Sequence, residues 1–157
     1  GAVAVLGHSF GGLIVQRAVA DLVQGGSSAV AGMVLLSSVP PTGNSSLAVR
    51  YFFRDPFLAA KITWGFAARA FERDVGLCRD LFFEADMPDA EVQGHIRQMQ
   101  DCCPPGRRLL DLAKLGQSLP VPAASPGRLP VLVIGGDRDV IVDKEAMVET
   151  AEAHGVE

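Results

Sequence analysis

The stretch VLGHSFGGLIV, Val5 to Val15, sets a serine among glycines where an apolar run stops and a helical pattern begins. Upstream, Ala2 to Leu6 is continuously apolar, as expected of a strand buried on both faces of a parallel sheet. Downstream, Leu13, Ile14, Ala18, Leu22 and Val23 recur at helical spacing with Arg17, Asp21 and Gln24 on the opposite face, and Gly25-Gly26 ends the helix. A second apolar run, Val30 to Leu36, then closes in Ser37 and Ser38. Strand, helix, strand at this spacing is a βαβ unit, so the chain builds a parallel α/β sheet.

A nucleophilic serine needs an exposed Oγ, a base within hydrogen-bond reach, and amide donors aimed at the oxygen that becomes negative during acyl transfer. Gly7-His8-Ser9-Phe10-Gly11 supplies the first and part of the third. A sharp strand-to-helix turn lifts Ser9 above the C-terminal edge of the sheet. Gly7 and Gly11, two residues to either side, are expected to be glycines because side chains there would collide. The amide of Phe10 opens the helix and points toward the developing oxyanion, where the helix N-terminus adds favourable potential. The pattern is the G-x-S-x-G nucleophile elbow. The competing reading makes Ser9 only a small residue in a tight turn. A phosphate loop would end in Gly-Lys-Ser/Thr and a dinucleotide turn would read G-x-G-x-x-G, and neither is present.

From Pro40-Pro41 the strand signals vanish and aromatic residues and charges crowd together; every aromatic except Phe10 lies between Tyr51 and Phe83. The spacing predicts helices near Leu47–Phe53, Phe57–Phe71, Val75–Phe83, Pro88–Gln100 and Arg107–Leu115, so the insertion is all-helical. The proline-rich connector SLPVPAASPGRLP leads back to a buried-strand pattern, Val131 to Ile134, then GGDRDVIVD and a helix from about Lys144 to His154. The expected organisation is 1–40 core, 41–128 helical insertion, and 129–157 core. The insertion is expected to emerge beside the elbow, with both of its connections at C-terminal ends of strands.

Composition narrows the partners. The 157 residues are 48% hydrophobic, enough for a sizeable core, and their formal net charge is −4 with no basic block, which argues against nucleic acid. No apolar run approaches the roughly 20 residues of a transmembrane segment. Cys78, Cys102 and Cys103 have no metal-ligand spacing and read as reduced thiols, which favours an intracellular compartment. Neither a metal nor a cofactor is called for, and oligomeric state is not legible. Gly1 in place of Met and a pattern cut short after Glu152 suggest a piece of a longer chain.

GHSFGG after a strand, a second strand ending in LLSSVPP, the helical insertion and LPVLVIGGDRDVIVD together resemble an α/β-hydrolase of the lid-bearing serine-hydrolase type. The likeness rests on both ends of the chain, and on the insertion only by position and helical character. It implies an α/β-hydrolase core with a lid, an esterase or lipase-like activity on carboxylic ester or lipid-like acyl substrates, and an acyl-enzyme on Ser9. It places the triad acid just past the strand after the lid, at Asp139, with Asp137 as the alternative. Triad order in this fold is Ser, acid, His. His154 alone follows Asp139, at the end of a crossover helix expected to run to the edge opposite Ser9, where protonation would favour it. His8 reads as support for the turn and His95 as part of the insertion. The base and the second oxyanion donor are therefore expected outside these residues. Tyr51, Phe52, Phe53, Phe57, Trp64, Phe66 and Phe71 line an acyl pocket or form the insertion's own core. The competing class is a non-catalytic α/β-hydrolase-fold protein that binds a small-molecule ligand.

Overall fold

A computed structural model describes residues 1–102, 119–123 and 127–156. β1 (Val3–His8) passes through Ser9 into α1 (Phe10–Gln24), which returns to β2 (Val30–Leu36). β3 (Val131–Ile134) pairs with the far side of β2, giving a parallel sheet in the order β1-β2-β3. The chain is therefore α/β, as the sequence implies. The register aligns Val5 with Met33 and Gly7 with Leu35, then Met33 with Val131 and Leu35 with Val133. Side chains alternate across a strand. Val5, Met33, Leu35, Val131 and Val133 thus share one face, where they cluster with Val15, Val19 and Val23 of α1.

The strands were expected to be buried on both faces. Leu6, Leu36, Leu132 and Ile134 instead remain 61%, 37%, 54% and 43% exposed. They occupy the alternate positions, so the face away from α1 stays open. The expected exit and return of the insertion also need correction. β2 ends at the edge that carries Ser9, but β3 begins at the opposite edge, where Met33 N–H donates to Pro130 C=O. A parallel register permits no other arrangement.

The chain divides into two compact units, Gly1–Leu47 with Leu112–Glu157, and Ala48–Asp111. In the first, the loop after β3 leads to α6 (Lys144–Ala153), whose N-cap Asp143 accepts from Ala146 N–H. Residues 41–47 thus group with the sheet. The second unit is helical throughout its described residues. α2 (Ser45–Arg54) enters it, followed by α3 (Pro56–Ala67), a 3-10 turn (Ala70–Glu72), α4 (Val75–Phe82) and α5 (Asp89–Cys102). Asp55 caps α3 through Leu58 N–H with Pro56 in its first turn, and Asp74 caps α4 through Leu77 N–H. Cys78, Val92 and Ile96 centre its core, with Phe71, Phe82 and Phe83 packed on them. The helix expected over Arg107–Leu115 lies outside the described residues.

Candidate active site

Ser9 occupies φ 53°, ψ −127°, a conformation that L-residues rarely adopt. Holding it costs on the order of 1–3 kcal/mol and requires the surroundings to over-determine it. They do: Ser9 N–H donates to Leu36 C=O, while Ser9 C=O accepts from Gly12 N–H and Val39 N–H. The residue is thus clamped between its own helix and the exit of β2. A serine at a helix N-cap ordinarily uses its hydroxyl to accept from the first-turn amides. Ser9 does not, and its Oγ has no hydrogen-bond partner among the described residues. The Phe10 amide is one of the helix's unpaired initial donors, and no backbone bond of the turn uses it. The Phe10 ring packs against a core of Leu13, Val39 and Val121.

The glycines around the elbow divide their work differently from the expectation. A Cβ on Gly7 would lie 2.5 Å from Gly12 Cα and 2.8 Å from Gly11 C=O, a collision with backbone that nothing can relieve cheaply. At Gly11 a Cβ meets nothing within 4 Å. The second close approach falls one residue later, where a Cβ on Gly12 would lie 2.1 Å from Ser38 Oγ. Gly7 and Gly12, rather than Gly7 and Gly11, are the sterically required pair, because α1 crosses the β2 exit at Gly12. His8 is exposed at the end of β1, adjacent to the turn.

Asp139 follows β3 in the loop at the C-terminal edge, the edge that also bears Ser9. Its Oδ1 accepts from Ile141 N–H and Val142 N–H, both at 2.9 Å, and its own N–H donates to Gly136 C=O. These bonds fix the carboxylate's orientation and leave Oδ2 without a partner among the described residues. Asp137 is exposed and makes no comparable bonds among the described residues. β2 lies between the strands that precede Ser9 and Asp139, and no hydrogen bond joins the two residues.

None of the three histidines is hydrogen-bonded to Ser9 or Asp139. His95 lies in the second unit, stacked on Phe83 with ring centroids 4.8 Å apart. His154 closes α6, as expected, but it is not at the edge opposite Ser9. Glu149, midway along α6, accepts from Thr42 and Ser46, which lie beyond the C-terminal end of β2. These contacts hold the helix near the Ser9 edge. The His154 ring turns inward, and its Nε2 lies 3.1 Å from Gln16 Oε1. Gln16 Nε2 in turn donates to Ser38 Oγ and Val39 C=O at 3.0 and 2.9 Å. Because that amide nitrogen faces acceptors, Oε1 faces the ring, and His154 Nε2 carries the proton. Its Nδ1 is buried without a partner among the described residues, and burial pushes the imidazole below its ordinary value of 6.5. Protonation is therefore disfavoured here, contrary to the favourable helix-end charge expected. The sequence reading does not single out Gln16 and takes Ser38 only as the close of a strand, although a glutamine between Leu13 and Ala20 on the apolar stripe of α1 was the available signal.

Among the described residues, no group of three or more His, Cys, Asp and Glu is placed to hold a metal, and no helix is long and apolar enough to cross a membrane. The aromatic cluster divides. Phe66, Phe71 and Phe82 pack together, with centroids 5.2 to 5.9 Å apart. Phe52, Phe53, Phe57 and Trp64 are exposed, and Phe52 and Trp64 border an open groove on the α2–α3 surface. The model of the alpha/beta hydrolase family matches residues 1–157. No curated protein and no solved structure matches the chain.

Proposed function

The chain belongs to the α/β-hydrolase family, which supports a hydrolase-type function, and from that premise we propose that it is a serine hydrolase acting on carboxylic ester or lipid-like acyl substrates. The observation that carries the reading is Ser9: a strained backbone at a strand-to-helix turn, with a hydroxyl withheld from the capping role its position offers. In this reading Ser9 Oγ attacks the substrate carbonyl carbon while a histidine base takes its proton. The Phe10 amide stabilises the oxyanion, and the leaving alcohol departs with the proton returned by that histidine. Water then hydrolyses the acyl-enzyme by the same sequence. Asp139 is the acid that orients the base, its free Oδ2 being the acceptor for an imidazole N–H. The base is a histidine outside these 157 residues, since His8, His95 and His154 meet neither partner. The helical insertion is proposed as a lid, and Phe52 and Trp64 give it an exposed apolar surface.

The test is labelling of the full-length protein with a fluorophosphonate probe and mapping the adduct by mass spectrometry. The adduct is expected on Ser9 and lost in Ser9→Ala; labelling that survives that substitution removes the assignment. Asp139→Asn is expected to lower kcat by on the order of 10⁴, the loss seen when a triad acid no longer fixes the tautomer of its base. Asp137→Asn should be nearly silent, and the reverse pattern exchanges the two acids. The absence of a base among the three histidines favours a second reading, a ligand-binding protein of the same fold. A full-length protein that binds an ester without turning it over would establish it.

A further inference from the structure

Behind the elbow lies a polar cluster that the proposed chemistry does not use. Gln16, Ser38 and His154 are almost completely buried, at 0%, 1% and 2% exposure. An isolated buried amide is costly. This one is satisfied by a directed set of bonds: Gln16 Nε2 to Ser38 Oγ and to Val39 C=O, and Gln16 Oε1 to His154 Nε2. Ser38 Oγ also donates to Val39 C=O. Three of these four bonds converge on Ser38 and Val39, the second and third residues past the end of β2. From the other side the same two residues define the elbow. Val39 N–H donates to Ser9 C=O, and Ser38 occupies the space that a side chain at position 12 would need.

We propose that Gln16 is a positioning residue of the elbow, tying the Ser38-Val39 segment to α1 so that Val39 N–H holds the Ser9 carbonyl and keeps the serine in its strained conformation. The inference rests on Ser9 being the nucleophile. Val39 carries both contacts, its N–H donating to Ser9 C=O and its C=O accepting from Gln16 Nε2, so a shift at Gln16 reaches Ser9 through this one residue. α6 contributes the far anchor: His154 Nε2 engages Oε1, the polar atom of the glutamine amide that Ser38 and Val39 leave over. A hydrophobic side chain of equal length would fill the site but release the segment.

The experiment is steady-state kinetics and fluorophosphonate labelling of the full-length protein carrying Gln16→Met. Val19→Ala, a buried truncation in the sheet core, serves as the control for lost stability. A misplacement near 1 Å remote from the chemistry costs about 10²-fold, so kcat and the rate of Ser9 labelling are expected to fall by about that factor in Gln16→Met. KM should stay within about twofold, because the lost contact supports the transition state rather than substrate binding. Equal rates in Gln16→Met and Val19→Ala overturn the proposal. If Gln16→Met does not fold, Ser38→Ala and His154→Phe each remove one of the bonds to Gln16. A fall in kcat without a change in KM in either supports it, and unchanged kcat in both overturns it. Absence of any label on Ser9 in the unsubstituted protein overturns the serine-hydrolase reading itself, and this inference with it, which separates that failure from a failure at Gln16 alone.

Discussion

Ser9, Gly7 and Gly12 leave little room at the strand-to-helix turn: backbone crowds Gly7 and the Ser38 side chain crowds Gly12. The strand-to-helix turn at Ser9 was legible because its signal is local: a small residue two before the serine and a helix start after it. The role of Gly12 was not legible, since it depends on Ser38, a contact made across the sheet that no pattern along the chain reveals. A direct comparison follows. Gly12→Ala forces Cβ into Ser38 Oγ and is expected to destabilise by about 1–3 kcal/mol, the usual cost of overpacking. Gly11→Ala meets open space in the first turn of α1 and should be neutral or stabilising by up to about 1 kcal/mol, the helical preference for alanine over glycine. Chemical denaturation of the two variants checks this, and equal losses would place the required glycine where the sequence pattern put it.

At the level of elements, β2 and β3 have the limits that their apolar runs imply, Val30–Leu36 and Val131–Ile134, because short apolar runs bounded by polar residues or proline leave little freedom. α6 was legible as a helix, Lys144–Ala153, but the inward turn of His154 onto Gln16 was not, since periodicity gives a helix without its tertiary partners. The consequence is a buried His154 with a measurable pH signature. Burial lowers its folded-state value below the unfolded value of about 6.5, so the unfolded chain binds the proton more readily. Its contribution to stability is therefore complete above the unfolded value and is lost as pH falls through the folded one. Thermal melts from neutral pH down through this range should show an acid-side loss that is smaller in His154→Phe than in the unsubstituted protein. Parallel profiles would mean that His154 titrates alike in both states.

The molecule as a whole declares its class through strand, helix, strand, and through the return of a buried-strand pattern after the insertion; the family match over residues 1–157 agrees with that reading. Which face of the sheet each apolar residue takes was not legible from continuous runs, because alternation is visible only once the register is known. Leu6, Leu36, Leu132 and Ile134 are the result: an exposed apolar surface on a sheet whose outer strands, among the described residues, are β1 and β3. Such a surface governs colloidal behaviour before it governs chemistry. These 157 residues expressed alone should enhance the fluorescence of an apolar dye and scatter light increasingly with concentration. Leu6→Lys with Leu132→Lys should raise the soluble fraction while leaving far-UV circular dichroism unchanged. A chain that stays monomeric and dye-silent at high concentration would show that this face is covered in solution. Handling of the isolated chain thus becomes a matter of edge and surface protection, with detergent or a solubilising partner in the buffer deciding whether it can be studied at all.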